Sequence, residues 1–450
     1  MTARNRELIA LIPASLLVSA GFAAVFISQD ATLSTAARTQ ELSNLSLTIG
    51  GVFLALCLAV HIVLRFALPH ADPYLFPLVA VLACFGLVVI YRIDDELARE
   101  QAQWFVVGLV LFVATIVGLR DFRKLERYRY TIAAASLILL LLPRVPGVGQ
   151  QANGAYLGVG IGPISFQPAE FAKIALVVFL AAYLKDTRQV LVLGARRFLG
   201  VTIPPLKHFG PVLVIWGATM LMLVFIRDLG SSLMFYGAFM ALLYVATNRL
   251  SFVTIGLGLF ALGAWFIASP AGRVLPGTGQ VEDRVNIWLD PFARGVVEKE
   301  GYQLAQSLFA QADGGLFGTG FGQALITQPG GKGVILPAPE TDLIYAVITN
   351  ELGLAGACGL IVVYLLFAQR GFKVAMLARD SFSKLLATGL AAVFALQVFV
   401  IVGGVTRVIP LTGVTLPFVS YGGSSIVANF VLLALLLMVS DRARREAVEP

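Results

Sequence analysis

The chain has 450 residues, of which 58% are hydrophobic and only 13% charged, with a formal net charge of +7. Soluble domains average about 25% charged residues, so a mean hydropathy of +0.85 excludes an ordinary soluble enzyme. Nucleic acid is excluded as a partner because the Lys and Arg residues alternate with apolar blocks instead of forming one patch, which is a topology pattern.

Blocks of roughly 17–25 apolar residues are long enough to cross a membrane as helices. Twelve candidates occur, near 8–28, 46–68, 74–91, 103–119, 130–143, 169–184, 208–226, 231–247, 252–268, 343–368, 385–404 and 424–440, the fifth being short unless it extends over Arg129. The expectation is an all-α polytopic membrane protein, a bundle of about 12 transmembrane helices with a large extracytoplasmic loop, 270–341, between spans 9 and 10. The first block follows Arg4 and Arg6 like a signal peptide, but it exceeds an h-region of about 7–15 residues and reads as a retained span. Cys57, Cys84 and Cys358 each lie in an apolar run with no metal-ligand spacing.

The connections alternate in charge. Arg120, Arg123, Lys124, Arg127 and Arg129 mark one side, as do Lys185, Arg188, Arg196, Arg197 and Lys207, then Arg370, Lys373, Arg379 and Lys384, and finally Arg442, Arg444 and Arg445. On the other side Arg92 and Arg99 are offset by Asp94, Asp95, Glu96 and Glu100. The positive-inside rule puts both termini in the cytoplasm and the 270–341 loop outside. Chemistry on that face runs without cytosolic nucleotides.

The outer connections carry the candidate residues. Glu170 and Lys173 stand three apart on one helical face and can pair, either structurally or at a site. Asp228, after Arg227, either caps the next helix or joins a site. From Gly301, the spacing of Leu304, Ala305, Leu308, Phe309 and Ala312 predicts an amphipathic helix at the interface. Gln303, Gln306, Ser307 and Gln311 fill its other face, whose functional alternative is a polar wall for a sugar-bearing ligand. The run Gly314, Gly315, Gly318, Gly320, Gly322, Gly330, Gly331 and Gly333 reads as a flexible loop, since no Walker-type Lys-Ser/Thr follows.

Asp342 sits where this loop meets the apolar run from Leu343. A charge at that seam is a functional candidate, and equally a helix N-cap. The segment 403–425 is almost span-length but broken by Pro410, Pro417 and glycines. Such backbone belongs at membrane depth only when buried in protein or lining a wet cavity. Arg407 within it either snorkels to headgroups or faces that cavity. Residues alone thus allow either a transporter or an intramembrane enzyme with an outward polar cavity.

Five stretches in order, NG with SFQPAEFAK, DLGSS, GYQLAQSLFAQADGGLFGTGFG, PETDLIYAVITNELG and PLTGVTLPFVSYGGSS, resemble the SEDS family (shape, elongation, division and sporulation) of RodA and FtsW. The resemblance covers about residues 80–440. It implies a peptidoglycan glycosyltransferase that polymerises lipid II at the outer face of the bacterial cytoplasmic membrane, for cell shape or division, with a class B penicillin-binding protein as partner. It makes Asp342 the catalytic residue, as a base or as ligand to a divalent cation (Mg or Mn), with no nucleotide. The substrate-binding candidates are Glu170, Lys173, Asp228, Gln303, Gln306, Lys332, Glu340, Thr341, Arg407, Ser420, Tyr421 and Ser424. The alternative is a lipid II flippase.

The sequence departs from the family at Gly154-Ala155-Tyr156-Leu157, where relatives commonly have GARRW, so Lys332 or Arg407 would have to supply the missing cation. Glu340 stands where many relatives have His. Residues 1–70 add two spans to a core of about ten in 71–440, similar to actinobacterial RodA, and 441–450 form a short tail.

Overall fold

An apolar block cannot leave backbone N–H and C=O groups unpaired in lipid, so it folds as a helix. The computed structural model describes residues 3–17, 20–21, 36–152, 155–161, 164–193, 196–198, 201–203, 210, 217, 228–268, 279–326 and 334–448. Among these, seven helices are long and apolar enough to cross a membrane. Of the expected span at 8–28, residues 8–17 and 20–21 are described and are mostly helical, while that at 208–226 lies largely outside the described residues. The others fall on helices, and that near 130–143 is the short helix Arg129–Leu141, which begins at the arginine.

The chain divides into two compact units. One comprises residues 1–120, 291–370 and 401–450. Its helices include Ala3–Ala10, Ala36–Ala67, Leu75–Ile93, Asp95–Leu119, Tyr302–Gly314 and Gly423–Val448. The apolar stretch of the last is 89% buried, against 28% for Asp95–Leu119, so the last helix is central and the other peripheral. Phe430 on the central helix meets Phe105 at 5.4 Å and Phe418 at 5.2 Å between ring centroids. Val106, Val110 and Val117 stay exposed on the peripheral helix, as lipid-facing positions should. Asp94 starts that helix by accepting the N–H groups of Glu96 and Leu97.

One end of this unit holds a buried ionic cluster that docks the N-terminal helix. Arg4 pairs with Glu7, which His61 Nδ1 meets at 2.8 Å, while Asp72 takes Arg444. The His70 N–H donates to Asp441 at 2.8 Å.

The second unit comprises residues 121–290 and 371–400. Pro168–Leu193 is its longest helix, with Leu229–Thr247, Leu250–Ala268 and most of Ser381–Val405. Phe179, Phe235, Phe239 and Phe394 are fully buried in it. Ahead of Pro168 lies an antiparallel sheet in chain order, β1 Gly149–Ala152, β2 Ala155–Ile161 and β3 Ile164–Phe166. Short glycine-rich strands carry too few side chains to show the alternation that marks a strand in sequence. Val159 is its buried residue, opposite Gly149 and Phe166.

Candidate active site

Asp342 lies two residues ahead of the helix Ile344–Leu377. The turn around it is built on Ala338, whose carbonyl accepts the N–H groups of Thr341 (3.3 Å) and Leu343 (3.2 Å). The broken segment fixes this turn from across. Tyr421 N–H donates to the Glu340 carbonyl at 2.8 Å. Ser420 Oγ donates to the Thr341 carbonyl at 2.8 Å and accepts the Leu416 N–H at 2.8 Å. The backbone on the N-terminal side of Asp342 is therefore pinned by residues 78 or more positions away, and Ser420 and Tyr421 shape the site. Ser424 is buried in the first turn of the central helix.

The Asp342 side chain is half-buried and Gly413 is exposed. A Cβ built on Gly413 would stand 3.5 Å from Asp342 Oδ2, so the carboxylate lies beside accessible backbone. Arg407, half-buried, ends the helix Ser381–Val405 in the left-handed region at φ 61. Val408 N–H and Ile409 N–H both return to the Gly403 carbonyl, at 2.7 and 3.1 Å, in the manner of a helix C-cap. The Tyr421 hydroxyl donates to Glu100. Burial and that carboxylate push the Tyr421 phenol up from its ordinary range.

The predicted amphipathic helix is Tyr302–Gly314, but its buried face differs from the expectation. Leu304, Ala305, Ser307 and Gly314 are buried, whereas Phe309 is 48% exposed. The inward Ser307 replaces Leu308 because it has a polar partner, the Val405 carbonyl, which Gln311 Nε2 also reaches at 2.9 Å. Gln303 is half-buried, and Gln306 lines a cleft of about 150 Å³ with Phe309, Asp313, Thr319, Leu336 and Asn350.

The glycine run is not a free loop over its described part. The helix Ile344–Leu377 breaks at Gly353, which has φ 66, and residues 315–320 dock onto the break. Thr319 N–H and Gly320 N–H donate to the carbonyls of Asn350 (2.9 Å) and Glu351 (3.2 Å). Leu354 N–H and Ala355 N–H return to Gly315 (3.0 Å) and Leu316 (3.1 Å). A Cβ on Gly318 would fall 2.1 Å from the Glu351 carbonyl, so the approach requires glycine there. Glu351 Oε1 sits 2.7 Å from Arg92 Nε, and Arg92 also donates to the carbonyls of Gly322 and Ala324.

In the second unit, Lys173 Nζ donates to Glu170 at 2.6 Å and to Gln397 Oε1 at 2.7 Å, with the lysine side chain 1% exposed. That is a buried, bonded ion pair. Asp228 caps Leu229–Thr247, accepting Ser231 N–H at 3.0 Å and the Ser231 hydroxyl at 2.5 Å. Burial pushes its carboxyl up, against the pull of those bonds. Lys332 lies outside the described residues. Among the described residues, no three His, Cys, Asp or Glu side chains converge to hold a metal.

The fold and this arrangement define a multi-pass helical membrane protein with a carboxylate on a rigid turn at the head of a span. The FtsW/RodA/SpoVE family model, described as "Cell cycle protein", matches residues 73–445. Peptidoglycan glycosyltransferase RodA of Mycobacterium tuberculosis (strain ATCC 25618 / H37Rv) is 40% identical, over 99% of this chain and 92% of that one. Stage V sporulation protein E of Bacillus subtilis (strain 168) is 30% identical, over 83% and 98%. A chain from the structure "Structural coordination of polymerization and crosslinking by a peptidoglycan synthase complex" aligns with a TM-score of 0.64 and 26% identity, over 83% and 98%. Thermus thermophilus RodA aligns with a TM-score of 0.57 and 26% identity, over 82% and 96%. The chain belongs to the FtsW/RodA/SpoVE family, and it is more similar to the mycobacterial RodA than to the sporulation protein.

Proposed function

We propose that the chain is a peptidoglycan glycosyltransferase that polymerises lipid II at the outer face of the cytoplasmic membrane, with Asp342 as its catalytic residue. The observation that carries this is the placement of Asp342, half-buried beside exposed Gly413 on a turn pinned through Glu340 and Thr341. Joining the 4-hydroxyl of one sugar to the anomeric carbon of another passes through an oxocarbenium-like transition state and expels a diphosphate. The attacking hydroxyl needs a proton acceptor, and Asp342 takes that role.

Arg407, half-buried at the end of its helix and in the same compact unit as Asp342, is the cation assigned to the leaving diphosphate. A divalent cation fits one carboxylate, since Mg²⁺ is commonly held by one or two carboxylates plus substrate phosphates and water. In the alternative role Asp342 would hold that cation instead of taking the proton, and the cation when bound would neutralise the diphosphate. A class B penicillin-binding protein is the proposed partner, and positive-inside charge puts both termini in the cytoplasm.

A flippase would need polar groups available through the membrane depth. Glu351 and Gln397, the polar residues that would serve it, are taken up by Arg92 and Lys173. The test is polymerisation of lipid II in detergent, where there are no two sides to flip between. Wild-type protein should give glycan strands and Asp342→Asn should not, with and without added Mg²⁺ or Mn²⁺. Wild-type product from Asp342→Asn refutes the reading.

A further inference from the structure

The turn that fixes Asp342 is itself gripped from a third place. Gln101, in the second turn of Asp95–Leu119, is 2% exposed. Both ends of its amide are used on the broken segment. Nε2 donates to the Ser420 carbonyl at 3.2 Å, and Oε1 accepts the Gly422 N–H at 3.1 Å. Reversing the amide would set oxygen against carbonyl and NH₂ against N–H, so one orientation alone serves. Glu100 beside it accepts the Tyr421 hydroxyl. Trp104 closes over Gly423, where a Cβ would come within 2.4 Å of the indole. One stretch of helix thus holds residues 420–423. Two of those residues carry the donors that reach Glu340 and Thr341.

We infer that Gln101 is a positioning residue for Asp342, acting through the Ser420–Gly422 turn. The inference rests on the reading of Asp342 as the proton acceptor. Removing the amide leaves the Ser420 carbonyl and the Gly422 N–H without their partner, which buried polar groups resist strongly. The slack passes to the two carbonyls that precede Asp342. Catalytic groups need placement to about 0.5 Å, and a misplacement of about 1 Å can cost about a hundredfold in rate.

The experiment uses the full chain in detergent with lipid II as substrate. Gln101→Leu and the isosteric Gln101→Glu should each lower kcat by at least about tenfold while KM stays within about twofold, the pattern of a transition-state defect. Hydrogen exchange should speed up over residues 338–343 and stay unchanged over 381–405, which separates a loosened turn from a misfolded chain. Ser420→Ala should add little to Gln101→Leu, since both act through one turn. A wild-type kcat, a change confined to KM, or unchanged exchange at 338–343 overturns the positioning role. If Asp342→Asn proves active, the role given to the carboxylate falls, and the exchange readout still decides whether Gln101 holds the turn.

Discussion

The Arg92–Glu351 pair lends itself to a quantitative prediction. The two side chains are 10% and 2% exposed and meet at 2.7 Å. Replacing Glu351 by Leu leaves a nine-tenths buried guanidinium without its counter-charge, for which the usual penalty is about 3–5 kcal/mol. Arg92 keeps its bonds to the Gly322 and Ala324 carbonyls at 2.8 and 2.9 Å, so the lower figure, about 3 kcal/mol, applies. At about 1.4 kcal/mol per factor of ten, the docked glycine run should open about a hundredfold more often. Limited proteolysis within 315–326 reads that population directly when reclosing outpaces cleavage. The double variant Arg92→Met/Glu351→Leu removes both charges and should regain most of the loss. Unchanged cleavage of Glu351→Leu, or a double variant that opens more readily than either single one, would refute the account.

Lys173→Met alone should destabilise the second unit by about 3–5 kcal/mol, because Glu170 is left buried and unpaired; Glu170→Gln/Lys173→Met should recover much of it in detergent thermal melts. Asp228→Ala removes the cap and should cost about 1 kcal/mol, with Asp228→Asn close to wild type, read by the same melts. Gly318→Ala places a methyl against the Glu351 carbonyl at φ +85. It should expose the glycine run to protease, beyond the roughly 1 kcal/mol that backbone conformation alone would cost.

The helices were legible because span-length apolar blocks have one solution in lipid, and Asp342 was legible because it marks the seam of loop and span. Non-local pairing was not. Arg92 looked like one charge in a balanced loop, yet it reaches Glu351 in another span. Gln101 is one of several polar residues that open its helix, and nothing local indicates that its amide meets residues 420 and 422. The break at Gly353 was invisible because hydropathy carries no information about φ. The glycine run was misread for the complementary reason: glycines that allow flexibility also allow the closest backbone approach, and only the partner distinguishes the two. Asp228 and the Glu170–Lys173 pair each had a structural and a functional reading, and the contacts given are structural ones.

Two helical pieces joined at a left-handed glycine cannot work as a single lever. Residues 315–320 bond to both pieces, to Asn350 and Glu351 before the glycine and to Leu354 and Ala355 after it. The glycine run therefore splints the joint between them.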